Sequence, residues 1–365
     1  MLSPNPHLSN LPVYEPGRPI EDVAREFKLN VREIIKLASN ENPLGPSSKA
    51  LAAIRKAMAS IHIYPDGNGF KLRQVLARKH QLDIEQVVLG NGSNEIIEFL
   101  GHAYLVPGDE MMISQYAFAI YEIVGKLFQA KIIEISARKY GHDLEGMLRV
   151  ITPKTRLVFV ANPNNPTGTA VSAERLKQFI AAVSPPTLVV VDEAYQEFLL
   201  DALDTPRLLA THPNLVIMRT FSKAQGLAGL RIGYGLATAE VAAALQKVRQ
   251  PFQANSLAQA AALAALSDKE HIRKTVKIIH TGRAYLEAAF QDRNLEFVPS
   301  FANFIMVNVG DGRKVFERLM RQGVIVRSMV SYKLPAWIRV TVGTPSQNKT
   351  FLKALDQSLT DVPIL

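Results

Sequence analysis

Residues 187–195, TLVVVDEAY, decide the fold. The run Leu188 to Val191 has no polar member to turn toward water, so the strand it forms is buried on both faces. Asp192 then ends the run abruptly. The same grammar recurs: Val87-Val88-Leu89 precede GNGSNE (90–95), Leu157 to Ala161 precede NPNNPTG (162–168), and Leu215 to Met218 precede RTFSK (219–223). Each apolar run hands over to a polar, Gly- or Pro-rich cluster and then to a helical pattern. Strands of this kind predict an α/β fold with a mostly parallel mixed sheet covered by helices. Ligands of such sheets sit beyond the carboxyl ends of the strands, so the polar clusters are expected to face one site.

Beyond about Pro251 the texture changes to long helical patterns and short alternating stretches, Phe304 to Val309 and Trp337 to Val342. This reads as a smaller α+β domain. The expected division is residues 1–38 as an N-terminal arm and part of the small domain, 39–252 as the large domain, and 253–365 as the small C-terminal domain.

Composition narrows the chemistry. The 365 residues include 47% hydrophobic and 21% charged side chains, which excludes a disordered or fibrous chain. Cysteine is absent, so there is no disulfide framework, thiolate metal site or cysteine nucleophile. The formal charge of +9 comes from dispersed Lys and Arg without a basic run, which reads as attraction for small anions, or as no signal at all, rather than as nucleic-acid binding. Pro, Asn and charge interrupt the N-terminus where a secretory signal needs an apolar stretch, and no apolar run reaches membrane-spanning length. A cytoplasmic location is expected. The eight histidines are scattered in no metal-ligand spacing, so no metal is expected.

Four clusters carry the candidate chemistry. GNGSNE opens a helix after a strand and suits either a phosphate at free N–H groups or a plain turn capped by Asn91 or Ser93. NPNNPTG surrounds Asn164 and Asn165 with prolines, giving a rigid turn that either aims an amide or merely exposes it. Asp192 at the edge of a doubly buried strand is costly unless it caps a helix or meets a cation such as a protonated ring nitrogen. Tyr195 can reach the same ligand or pack. In TFSKAQGLAGLRIGY (220–234), Lys223 stands among small and apolar residues. Desolvation there lowers a lysine pKa and frees a neutral amine for carbonyl chemistry, whereas exposed it is a surface charge. Ser222 and Arg231 can bind a phosphate nearby.

Taken in order, YEPGRP (14–19), LASNENPLGPS (37–47), YPDGNG (64–69), GNGSNE, NPNNPTG, VVDEAY, TFSKAQGLAGLRIGY and IRVTVGT (338–344) resemble the fold-type I pyridoxal-phosphate aminotransferases, and within them the histidinol-phosphate aminotransferase group, over nearly the whole chain. The resemblance implies a large domain with a mostly parallel mixed sheet and a smaller α+β domain. It also implies that Lys223 bonds pyridoxal 5'-phosphate and shuttles the substrate proton. Asp192 would keep the pyridine nitrogen protonated, Asn165 and Tyr195 would bond the phenolic oxygen, and Tyr116 would stack on the ring. Gly92, Ser93, Asn94, Ser222 and Arg231 would hold the cofactor phosphate, joined by Tyr64 from a second subunit, so a homodimer with shared sites is implied. Gln115 stands where a proline is common and Gln225 where an aromatic is common.

For the substrate, Arg339 in WIRVTVG, Arg327 in VIVRSM and Tyr14 match an anion pocket of the same group. Asn303 in SFANF either supports that pocket or closes a loop. Two arginines and a hydroxyl suit the phosphate of a substrate without a carboxylate, although they serve glutamate and 2-oxoglutarate as well. The implied reaction exchanges L-histidinol phosphate and 2-oxoglutarate with imidazole-acetol phosphate and L-glutamate, a step of L-histidine biosynthesis. A broad-range aromatic aminotransferase, a decarboxylase of threonine phosphate, and a cofactor-binding regulatory module are the rivals.

Overall fold

The computed structural model describes residues 4–9 and 11–360; the ends of the first and last expected units, residues 1–3 and 361–365, lie outside it. The described strands are β1 Ile35–Lys36, β2 Val87–Gly90, β3 Glu110–Ser114, β4 Lys131–Ile135, β5 Thr155–Ala161, β6 Leu188–Asp192, β7 Leu215–Thr220, β8 Gly233–Leu236, β9 Phe297–Val298, β10 Phe304–Asn308, β11 Val324–Ile325, β12 Arg327–Ser328 and β13 Trp337–Thr341. The large sheet has seven strands in the order β2-β8-β7-β6-β5-β3-β4. Pairings from β4 to β7 are parallel, and β8 runs antiparallel to both β7 and β2. This is the fold-type I architecture with a mixed, mostly parallel sheet.

Burial follows the sequence pattern. Every residue of β6 and β7 is buried, whereas edge strand β4 is at most half-buried and keeps Lys131 and Glu134 exposed. Charges on an edge strand discourage further pairing. Two apolar clusters sandwich the sheet, one around Val158, Val160, Val189 and Val191, the other around Leu157, Phe159, Val190 and Val216. Among the described residues no helix is long and apolar enough to cross a membrane.

The small unit is a four-stranded antiparallel sheet, β12-β13-β10-β9, under the 24-residue helix Lys269–Asp292 and the helix Pro345–Leu359. The N-terminal segment joins it: β1 pairs in parallel with β11, and Thr341 N–H donates to the Leu37 carbonyl. The helix Ser256–Leu266 lies past residue 252 yet packs Ala258, Ala261, Ala262 and Ala265 into the large-sheet core. Its uniform alanines fit the close approach of the helix Ser48–Ala57. We therefore propose that the small unit starts with the helix Lys269–Asp292 rather than at residue 253.

One ion pair locks the sheet next to the strand ends. Glu193 and Arg219 are both buried, joined through Nε and Oε2 at 2.7 Å, and Thr205 Oγ1 donates to the other carboxylate oxygen at 2.6 Å. Burial pushes the Glu193 carboxyl upward and Arg219 opposes it. Arg219→Ala leaves a buried carboxylate unpaired and should cost about 3 kcal/mol, read as a lowered denaturation midpoint. The double variant Glu193→Gln/Arg219→Met should recover most of the loss, and an additive loss would contradict this account.

Candidate active site

The carboxyl ends of β5, β6 and β7 open into a cleft of about 580 Å³. Asp192, Tyr195, Asn165, Lys223 and Ser222 line it, as the apolar runs predict, because each stands where a buried strand stops. The start of the helix Ser93–Tyr104 brings Gly92, Ser93 and Asn94; Arg231 arrives from the turn before β8; Arg327 and Arg339 come from the small sheet and Tyr14 from the N-terminal segment.

Lys223 donates from Nζ to the Ser39 carbonyl at 3.1 Å and lies 5.6 Å above the Tyr195 ring. Burial, reinforced by the charge of Arg339, lowers its pKa from the usual 10.5 to about 8, with Glu41 opposing. The neutral amine is therefore far more populated near neutral pH than in an exposed lysine. Asp192 is buried at the floor. Tyr121 donates its hydroxyl to Oδ2 at 2.6 Å, and the Ala194 N–H donates to Oδ1 at 3.1 Å. Burial raises the Asp192 pKa while those two bonds and Lys223 hold it down. Among the described residues it has no ion-pair partner.

The phosphate-seeking end is built from backbone. Neither Asn91 nor Ser93 caps the helix Ser93–Tyr104; Gly92 stands at the N-cap with φ 73° and no side-chain cap. The first N–H groups of that helix are left for an anion. A Cβ on Gly92 would come within 2.7 Å of Arg231 Nη2, so only glycine lets the guanidinium reach this corner. Arg231, itself at φ 56°, donates to the Ala228 carbonyl and meets no carboxylate among the described residues. A free N-terminus and an arginine at one end, with an unpaired buried carboxylate at the other, fit a ring carrying a phosphate and a protonatable nitrogen.

The anion pocket is more strained. Arg327 on β12 pairs in register with Arg339 on β13, so two guanidinium side chains are cross-strand neighbours. Like charges directly opposite are unfavourable unless an anion lies between them. Arg339 donates to Asn165 Oδ1 and to the Ala38 carbonyl, lies 5.0 Å over the Phe304 ring, and keeps its buried Nε without a partner. Its bond to Asn165 ties the small sheet to the NPNNPTG turn.

Three of the expected residues do not line the cleft, and for Tyr64, expected to serve a second subunit, and Asn303, for which loop closure was one of two readings, that position agrees with the expectation. Tyr116 adopts φ 56° and packs 5.9 Å from Tyr140, lining a pocket that adjoins the cleft and shares Tyr14, Phe118, Arg327 and Tyr332 with it; Phe118 and Tyr121 line the cleft itself. The left-handed turn at Tyr116 redirects the loop, which the run QYAF could not reveal by itself. Tyr64 is 79% exposed and stacks on Phe252 at 4.7 Å, away from this chain's cleft. Asn303 is buried outside the cleft and donates to the Asn40 carbonyl, the loop-closing role. Sequence reasoning passed over Tyr121, Phe118 and Tyr332. Tyr121 lies in the first turn of the helix Ala119–Leu127 and Phe118 at its N-cap, a spacing of three that could have marked both.

The family described as aminotransferase class I and II matches residues 32–355. The chain is 48% identical to the histidinol-phosphate aminotransferase of Akkermansia muciniphila over 97% of its own length and 98% of that protein. It is 49% identical to histidinol-phosphate aminotransferase 2 of Pseudomonas fluorescens over 97% of its own length and 96% of that protein. Its fold superposes, with a TM-score of 0.89 and 30% identity over 97% of this chain and 96% of the other, on the crystal structure of histidinol-phosphate aminotransferase from Sinorhizobium meliloti in complex with pyridoxal-5'-phosphate. With a match spanning nearly its whole length and relatives of such identity, this chain belongs to the class I and II aminotransferase family.

Proposed function

We propose that the chain is a pyridoxal-phosphate-dependent transaminase of L-histidine biosynthesis, interconverting L-histidinol phosphate and 2-oxoglutarate with imidazole-acetol phosphate and L-glutamate. The observation that carries this reading is Lys223, an amine titrating near 8 in a cleft whose opposite ends offer a free helix N-terminus and an unpaired buried carboxylate. Bound there, pyridoxal phosphate supplies an aldehyde and an electron-withdrawing ring. Asp192 would hold the proton on the ring nitrogen, and Tyr121, which draws that carboxyl's pKa down against burial, aims it. Lys223 Nζ is the proton carrier at the substrate carbon. Asn165, its Oδ1 taken by Arg339, presents its NH₂ to the ring oxygen together with the Tyr195 hydroxyl. Gly92, Ser93, Asn94, Ser222 and Arg231 receive the cofactor phosphate. Phe118 adds an apolar wall to the cleft that the ring would enter, with Tyr116 in the adjoining pocket.

Arg327, Arg339 and Tyr14 take the substrate anion. The cross-strand arginine pair suits a dianionic phosphate better than a single carboxylate, which favours histidinol phosphate over an aromatic amino acid. With the phosphate anchored on one side and the amine at Lys223, the imidazole is directed to the opposite side of the amine-bearing carbon.

A homodimer is part of the reading, since Tyr64 lies outside its own chain's cleft. Around it Met58, Ile61, Ile63, Phe70 and Phe252 are exposed together, an apolar surface that a second copy would cover while delivering Tyr64 to the partner's cofactor phosphate. The cytoplasm is the expected location.

The decisive assay offers the amine half-reaction histidinol phosphate, phenylalanine and threonine phosphate. Histidinol phosphate should be converted fastest, and Lys223→Ala should abolish turnover of every amine; faster conversion of phenylalanine sinks the substrate assignment. The cofactor-free protein should capture pyridoxal phosphate at a rate that rises with pH, because only the neutral amine attacks. Its midpoint should lie close to 8, and a midpoint at the ordinary lysine value would contradict the buried amine. Ile63→Glu should shift the mass in sedimentation from dimer to monomer and weaken cofactor retention about tenfold. An unchanged mass would remove the dimer from the account.

A further inference from the structure

Asn40 stands in the left-handed region at φ 56° and is 1% exposed, at the join between the N-terminal segment and the large unit. Four contacts hold it. Its N–H donates to Thr341 Oγ1 at 2.9 Å, and its carbonyl accepts from Asn303 Nδ2 at 3.0 Å. Thr341 Oγ1 lies 3.3 Å from Asn40 Oδ1, and Asn40 Nδ2 lies 2.9 Å from Tyr195 Oη.

These contacts settle which way the amide points. The Thr341 oxygen already accepts from the Asn40 backbone, so the proton of that hydroxyl is the one available for the contact with the side-chain carbonyl oxygen. Oδ1 is then an acceptor and the NH₂ turns to Tyr195. In the turned amide Thr341 would accept twice, and its own proton would find no acceptor among the described residues. With Asn40 donating to it, the Tyr195 oxygen has its acceptor position filled on the buried side, and its proton is left for the cleft that Tyr195 lines.

We propose that Asn40, oriented by Thr341, is a positioning residue that aims the Tyr195 hydroxyl proton into the cleft, at the oxygen of the ring bound there. The inference rests on the pyridoxal-phosphate reading above. Burial keeps the Tyr195 hydroxyl protonated through the neutral range, so it is a donor whenever it is aimed correctly. Thr341 and Arg339 are two residues apart on β13 and share a face, so the strand that grips the substrate anion also sets the first link of this chain.

The test titrates the visible absorbance of the bound cofactor in the holoenzyme, without substrate. A donor to the ring oxygen favours the unprotonated chromophore, so Tyr195→Phe should raise the titration midpoint by about one pH unit. Asn40→Asp keeps size and left-handed tolerance but replaces the donor with an acceptor that draws the tyrosine proton inward. It should raise the midpoint nearly as far, and the double variant should titrate like Tyr195→Phe alone. Thr341→Val should give a smaller rise that vanishes in the Tyr195→Phe background, and Thr341→Ser should restore the original midpoint. Because valine keeps the β-branched shape, this arm stands even if Asn40→Asp does not fold. An unchanged midpoint in Asn40→Asp, as a turned amide requires, or shifts that add to that of Tyr195→Phe, would overturn the proposal. If the unmodified protein carries no titrating visible chromophore, the cofactor reading itself fails and this inference falls with it.

Discussion

The site depends on keeping two opposite charges in the same buried cleft from satisfying each other. Asp192 and Lys223 stand at the ends of adjacent parallel strands or just beyond them, where desolvation moves each toward neutrality: the carboxyl upward, the amine down to about 8. Each is held by neutral groups instead. Tyr121 and the Ala194 N–H bond the carboxylate, and the Ser39 carbonyl bonds the amine. Neutral hydrogen bonds lower the cost of burying a charge without cancelling the charge, so both groups remain free to act on a ligand.

The contrast with the next residue in the chain is instructive. Glu193 points to the other face of the sheet and is fully paired, to Arg219 and Thr205. Side chains alternate along a strand, so consecutive acids serve opposite ends: one is consumed in clamping β6 to β7, the other is kept available. The clamp matters to the site because it fixes the strand ends from which Asp192 and Lys223 project. A similar division runs through the small sheet, where Arg339 carries an unfavourable like-charge neighbour in Arg327 while its own strand anchors the N-terminal segment through Thr341.

Much of the fold was readable from hydrophobic pattern. A strand buried on both faces must be apolar at every position, which marked β2, β5, β6 and β7, and the polar residue that ends such a run must lie at the sheet's carboxyl edge. This is why Asp192, Lys223, Asn165 and Gly92 were found without coordinates. The same rule missed edge strand β4, which is at most half-buried, and the alanine-rich segment Asn255 to Leu266, which reads as a packed helix, gave no sign of the core it packs into. The left-handed backbone at Tyr116 could not be read from the run QYAF, nor could the place of Phe118 lining the cleft beside it. Tyr121 was overlooked because its function is to hold an acid 71 positions away in the chain.

Sequence alone determined which chemistry is present: an amine, a carboxylate, a glycine-rich helix start and spare arginines, each placed by a local rule of burial or turn geometry. Tertiary structure decided how these groups are tuned and aimed. Whether Lys223 is neutral, whether Gly92 lets Arg231 approach, whether Arg327 opposes Arg339 and which way the Asn40 amide points all depend on residues far apart in the chain. Desolvation and hydrogen-bond direction act over a few ångströms of space, and no local pattern of residues specifies what will lie within that distance.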